Sequence, residues 1–336
     1  MQKLIFLGTD LHGEPTELAA KLVKTLCTHF LDSCILSLQY RKPNVHQKNC
    51  TIVPQGFSNI HLKRLFQGIL LPFYLLFMRR HFSKIISFWT TRSKYHEFLF
   101  CFMKLLRYHV VYTAIAQREQ LNFQVLNLCD EIVVQSREVY NCITKKLPKK
   151  NVTLIYPGVD LNIFIPLKKK YSIIIPSVPY DVKDFDSRGI NVVLEEIEKN
   201  KLSAVIIFRS QAAYENIKKR NLKNVKLINK TLSDPDLAGF IGQCRIMPLF
   251  YSETPELPLS AVEGLACGCA VVCSSNIGIG NMIEENNAGF VVKDKIELEK
   301  NIKILMKEDL SNDARKIAEK YFDKKYMIGD YKRLLN

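Results

Sequence analysis

The stretch from Arg245 to Lys293 constrains the fold more than any other. Arg245 to Tyr251 is an apolar run that reads as a strand. An acidic, proline-containing turn follows, Ser252 to Pro258, and Leu259 to Ala266 then reads as a helix that Cys267-Gly268 ends. Cys269 to Ser274 is a second strand, followed by a glycine-rich turn at Ile277 to Gly280, a short helix and a last strand at Gly289 to Val292. Strands joined by a helix through short turns pair in parallel with a right-handed crossover, and ligands sit outside the carboxyl ends of such strands. Leu259, Val262, Leu265 and Ala266 fall at i, i+3, i+6 and i+7. That spacing predicts one apolar stripe on a sheet, with Glu263 on the helix edge and outside the core.

Glu256 and Glu263 lie seven residues apart, about 10 Å along a helix axis. Two acceptors at that span suit hydroxyls at opposite ends of an elongated ligand, and the helix N-terminus between them suits a phosphate. A sugar nucleotide has this layout. The competing reading is that acidic residues simply favour a helix start, and this stretch leaves both open.

The rest of the chain repeats the alternation. Lys3 to Gly8, Cys34 to Leu38, Lys84 to Trp89 and His109 to Ala116 read as strands of a first domain. Glu131 to Ser136 and Asn151 to Ile155 continue it, with helices at Glu17 to Phe30, Arg92 to Arg107, Leu121 to Asp130 and Arg137 to Lys146. A loop between a first parallel strand and its helix is a usual place for a ligand contact. Asp10 and His12 in the loop from Thr9 to Thr16 either touch a reacting group there or are solvated. Lys168-Lys169-Lys170 reads as an exposed linker. After it come strands at Tyr171 to Ile175, Ala204 to Phe208 and Val225 to Ile228, a long loop from Pro176 to Ser187, and helices from Arg188-Gly189 to Lys199 and Ala212 to Arg220. Ser233-Asp234-Pro235-Asp236 places a cap and then a proline at the start of a helix running to Gln243, as helix entries favour. Strands alternating with helices throughout predict α/β with parallel sheets.

At 336 residues the chain has room for two domains. Its 48 Lys+Arg against 33 Asp+Glu, net +15, point to a phosphate-rich ligand or an anionic membrane surface. Nucleic acid is set aside, because the basic residues are spread without an aromatic-interleaved motif or a zinc finger. The ten cysteines lack paired C-x-x-C motifs and mostly sit in apolar runs, the usage of a reducing cytoplasm. No signal-peptide pattern opens the sequence. Leu65 to Met78 is an apolar run of about 14 residues between Lys63-Arg64 and Arg79-Arg80, below the roughly 20 that span a bilayer. It reads either as a buried helix or as one lying in a membrane interface with its basic flanks on anionic headgroups.

Several motifs then agree. Ile155-Tyr156-Pro157-Gly158-Val159-Asp160, with Phe164 and Pro166, resembles the interdomain segment of family 4 glycosyltransferases, and Asp130 to Ser136 the strand before it. Glu263 to Val272 resembles the glutamate, glycine and paired-valine segment of that family, Gly278 to Val292 its next turn and strand, and Tyr321 to Lys332 its terminal helices. The resemblance runs nearly the whole chain in order. It implies the GT-B fold: two facing Rossmann-like α/β domains with parallel sheets and a C-terminal helix crossing back to the N-terminal domain. The corresponding ranges are 1–166 for acceptor binding, 167–318 for the nucleotide sugar and 319–336 for the returning helix.

The resemblance implies transfer of a sugar from a UDP- or GDP-sugar donor to a glycan or lipid-linked acceptor, with retention and without a metal or other cofactor; the cysteine usage and the basic-flanked apolar run put the expected location in the cytoplasm, at the inner face of a membrane. Glu263 corresponds to the ribose-binding glutamate. The first glutamate of the family's pair falls at Pro255, so Glu256 or Glu253 takes the donor-sugar contact, with Leu257 and Pro258 beside it. Arg188 before Gly189 fills one diphosphate position. Ser177-Val178-Pro179 stands where an arginine is expected, leaving Lys183 and Arg209 as substitutes. Lys230, Thr231 and Leu232 fall near the base, and Ile115-Ala116 stands where the family has a histidine. Asp184-Phe185-Asp186 and Asp234-Pro235-Asp236 are assigned no metal. These departures motivate a rival reading, a catalytically silent protein of the same fold that binds a nucleotide sugar or a partner. A third reading is a membrane-surface adaptor.

Overall fold

The computed structural model describes residues 3–7, 18–30, 33–36, 70–88, 94–115, 121–252 and 257–335. The chain divides into a first unit, Met1–Ile155 with Ile328–Asn336, and a second, Tyr156–Met327.

In the first unit the described elements run β1 (Leu4–Leu7), α1 (Leu18–His29), β2 (Ser33–Leu36), α2 (70–78), β3 (Lys84–Ser87) and α3 (Lys94–Leu105). Then come β4 (His109–Ala114), α4 (Phe123–Leu128), β5 (Glu131–Val134), α5 (Arg137–Lys146) and β6 (Asn151–Leu154). All pairings are parallel, in the order β2-β1-β3-β4-β5-β6. The strands are near-continuous apolar runs because helices cover them. Leu71, Leu75 and Met78 of α2, Leu99, Phe100 and Met103 of α3, and Val139 and Ile143 of α5 pack in one core cluster with Ile5, Ile85, Val110 and Ile132 of the sheet.

The second unit runs β7 (Tyr171–Val178), α6 (Ile190–Lys199), β8 (Ala204–Phe208), α7 (Gln211–Lys218), β9 (Val225–Asn229), α8 (Asp234–Gly242) and β10 (Cys244–Leu249). It continues with α9 (Leu259–Ala266), β11 (Ala270–Ser274), α10 (Gly280–Glu285), β12 (Gly289–Val292), α11 (Lys295–Leu305) and α12 (Ser311–Tyr321). Last comes α13 (Lys324–Leu335), which starts in the second unit and ends in the first. The sheet is parallel, in the order β12-β11-β10-β7-β8-β9. Chain order reverses between β7 and β10, the switch point at which doubly wound sheets bind ligands. Alternate side chains serve opposite faces: Ile174, Val271 and Cys273 join one core with α8, α9 and α12, while Ile173, Ile175 and Val272 join another with α6, α7 and α11.

The structure departs from the sequence-based expectations at three places. Strand β7 continues past Ile175 to Val178, with its register on β8 shifted between those residues. Pro176 lacks an N–H for the ladder, and the strand absorbs it in that irregularity. The division falls at Ile155/Tyr156 rather than 166/167, because Val159 and Phe164 are buried in the second unit's core. It returns at Met327/Ile328 rather than at 319, because Phe322 stays in that core, where Phe322 O accepts from Val159 N at 2.9 Å. Finally, Glu263 is not on an exposed edge: it is 5% accessible. Helix α9 has no solvent side there, since the sheet lies under it and α12 packs over it. Arg315 of α12 donates to Ala266 O at 2.7 Å, Phe164 O at 2.6 Å and Leu161 O at 3.0 Å, completing the carbonyl end of α9.

Candidate active site at the switch point of the second sheet

The loops leaving β7 and β10 are tied together. Ser252 N donates to Ser187 O at 2.9 Å, and a Cβ on Gly189 would lie 1.8 Å from Phe250 O. Gly189 also has φ +62, a conformation that suits glycine, so this residue type is what lets the two loops touch. The β10 loop is braced from β11 as well. Tyr251 N donates to Ser274 Oγ at 3.0 Å, and Ser274 Oγ donates to Tyr251 O at 2.7 Å.

Arg188 lies over the ring of Tyr251, with Cζ 4.9 Å from the centroid. Burial pushes the Tyr251 phenol above its ordinary value. The Arg188 charge, hydrogen bonds with Ser260 and Arg188, and the Arg209 charge pull the other way. Tyr251 therefore links the loop after β7 to the first turn of α9, and it feels the arginine after β8. Three strand ends converge on this ring. Helix α9 starts after Pro258 without a side-chain cap. Ser260 and Glu263 are three residues apart, on the same face of α9. Glu263 sits close enough to Cys267 to help raise that thiol, although burial is the larger cause. A carboxylate is rarely buried without a task or a partner.

The expected site residues separate into groups. Arg188 packs on Tyr251 and the Arg209 charge acts on its phenol, while Pro258 precedes α9 and Glu263 is buried within it. Lys183 sits in an exposed turn, paired at 2.9 Å with Asp181, whose side chain also caps the turn by accepting from Lys183 N. Lys230 and Thr231 are exposed at the carboxyl end of β9. Leu232 and Leu257 are buried in the core beneath α9. Asp10, His12, Glu253 and Glu256 lie outside the described residues. Ser177 lies inside β7, not in the loop expected there. In the first Asp-x-Asp triplet, Phe185 is buried in the core and Asp186 accepts from Asn191 Nδ2 at 2.6 Å. Among the described residues no group of three His, Cys, Asp or Glu is placed to hold a metal. Sequence reasoning missed Tyr251 and Ser260. Their signal was a polar residue just past the crossover strand and another in the first turn of an apolar helix.

Residues 188–322 match the family Glycosyl transferases group 1. The match lies within the second unit. No curated protein matches the chain. Among solved structures, the chain is similar to a sucrose-phosphate synthase from Thermosynechococcus elongatus, with TM-score 0.74 and 14% identity, over 100% of this chain and 98% of that one. It is also similar to HepE of Anabaena in complex with UDP-glucose, with TM-score 0.75 and 13% identity over 100% and 99%. WaaG, a glycosyltransferase involved in lipopolysaccharide biosynthesis, aligns with TM-score 0.65 and 11% identity over 94% and 95%. These likenesses place both units in the GT-B fold, and the match over residues 188–322 supports a transferase.

Proposed function

We propose that this glycosyltransferase moves a sugar from a UDP-sugar to a glycan or lipid-linked acceptor with retention of configuration. The observation that carries the reading is the convergence of Arg188, Arg209 and the start of α9 on Tyr251 at the switch point. Negative charge grows on the leaving diphosphate as the glycosidic bond breaks, and fixed cations with a helix N-terminus stabilise it there. The planar guanidinium of Arg188, held by the Tyr251 ring, presents several donors toward phosphate oxygens. No metal is invoked, since these cations take the charge. Glu263 holds the ribose hydroxyls, Glu256 or Glu253 the donor sugar, and Lys230 and Thr231 lie toward the base. UDP is preferred over GDP because HepE, similar in fold, is recorded with UDP-glucose. The protein is taken to work in the cytoplasm, against a membrane.

Calorimetric titration with UDP and UDP-glucose tests this. The wild type should bind both, and Glu263→Ala should weaken each by about tenfold, the loss of a hydrogen bond to a charged acceptor. Unchanged affinity in that variant removes the ribose role, and no binding by the wild type removes the reading. A second reading, a silent nucleotide-sugar-binding protein, is favoured by Ser177 standing in β7 where the family has an arginine. Release of UDP from UDP-glucose in the presence of a lipid-linked acceptor decides against it.

A further inference from the structure

We propose that a lysine-lined cavity at the amino edge of the first sheet binds a small phosphomonoester. The cavity has a volume of about 350 Å³ and lies where the last turn of α3, the end of α4 and the starts of β5 and β6 meet. Small-ligand sites usually measure about 300 to 1,000 Å³. Asp130 immediately precedes β5, and Asn151 is the first residue of β6. All strands of a parallel sheet start at one edge, so this cavity is opposite the carboxyl ends at which reacting ligands of such folds sit.

The lining holds more positive charge than its own contacts use. Lys104, Lys149 and Lys150 bring three cations against one carboxylate, Asp130, a net +2. Asp130 is already engaged: Oδ1 accepts from Lys104 Nζ at 2.5 Å and Oδ2 from Val110 N at 2.7 Å. Lys150 Nζ donates to Cys129 O at 2.9 Å, and an ammonium has three protons to give. Lys149 is exposed and has no hydrogen-bond or ion-pair partner among the described residues. The run from Lys145 to Lys150 contains four lysines and no acid. Its charges repel one another until an anion binds.

Two uncommitted charges side by side fit a ligand that concentrates two negative charges in one group. A phosphomonoester does so near neutral pH, and lysine binds it as a point charge. The cavity is larger than that group alone, since a water's share of liquid volume is about 30 Å³. Asn127 and Asn151 line the remainder, and each amide can donate to and accept from a hydroxyl. Leu128 adds apolar wall. The organic part is therefore small and hydroxylated. The site lies wholly within the first unit and stands whether or not the second binds a nucleotide sugar.

The test is calorimetric titration of the full chain with ribose 5-phosphate, inorganic phosphate and ribose, each with UDP in excess. Ribose 5-phosphate should bind one site per chain, about threefold or more tighter than inorganic phosphate, and ribose should not bind. Lys149→Gln should lower the affinity about three- to tenfold, and Lys149→Gln with Lys150→Gln about thirtyfold or more. Arg188→Gln, in the second unit, should leave it unchanged. Lys149 is exposed, so the melting temperature of its single variant without ligand should match the wild type and show that it folds. No binding by the wild type, displacement by UDP or loss in Arg188→Gln would overturn the proposal. So would equal affinity for inorganic phosphate and the ester, or undiminished binding in folded Lys149→Gln.

Discussion

The Cβ that Gly189 lacks would sit 1.8 Å from Phe250 O, in a backbone already at φ +62. Gly189→Ala thus combines strain with a clash against backbone, and should cost more than about 2 kcal/mol of stability. Chemical denaturation measures it, and a change within error would mean that the loops separate without penalty. Tyr251 makes a subtler prediction. If its ring holds Arg188 for the diphosphate, Tyr251→Leu should weaken UDP about three- to tenfold and leave uridine unchanged, while Tyr251→Phe keeps much of the affinity. Equal losses for UDP and uridine would show Tyr251 to be packing alone. Arg188-Gly189 was legible from sequence, because a cation before a glycine at a helix entry is a local pattern. Tyr251 and Ser260 were not, because their roles come from loops about 60 residues apart that meet only once the sheet has formed.

Between helices α6 and α11 two carboxylates titrate in opposite senses. Glu196 is fully buried and pushed above its ordinary value by burial and then by Glu299, and its Oε1 has no partner among the described residues. Glu299 is drawn down to about 2 by hydrogen bonds from Lys199 and Lys303. A raised folded value gives stability that is present at acid pH and lost as pH rises through it. A lowered one gives stability present above the unfolded value and lost as pH falls toward 2. Hence Glu196→Gln should raise the melting temperature at neutral pH relative to wild type, with the gain vanishing below the ordinary carboxylate range. Glu299→Gln should lower it at neutral pH and converge with wild type near pH 2. Melting curves across pH check both, and parallel curves for either variant would refute its shift. The strands and helices here were readable from periodicity, since each apolar run has a length and spacing that only one element satisfies. The surroundings of α9 were not. Its stripe predicted one buried side, and α12, distant in sequence, supplies the second and encloses Glu263.

The chain passes between its two units twice, after Ile155 and after Met327, and the second passage was legible as a family resemblance while its exact place was not. What fixes that place is packing. Tyr156 meets Phe322 edge-on at 5.6 Å, Lys324 pairs with Asp160, and Gly158 approaches Lys324 so closely that a Cβ would lie 2.5 Å from its Cα. The start of α13 thus belongs to the second unit. Its end belongs to the first: Tyr331 and Leu335 are each 1% exposed, the Tyr331 and Thr113 hydroxyls are 3.2 Å apart, and Lys84 Nζ donates to Leu335 O at 2.6 Å. A chain ending at Met327 would leave Thr113 and Lys84 without these partners and uncover apolar surface beside β3 and β4. Hydrogen exchange should then accelerate at amides of β3 and β4, while those of β7 to β12 keep their protection. Tyr331→Phe, which removes only the hydroxyl pair, should cost about 1 kcal/mol and leave the exchange pattern unchanged. Uniform acceleration across both sheets in the shortened chain would mean that the second unit depends on the tail as much as the first, and the division would have to be drawn elsewhere.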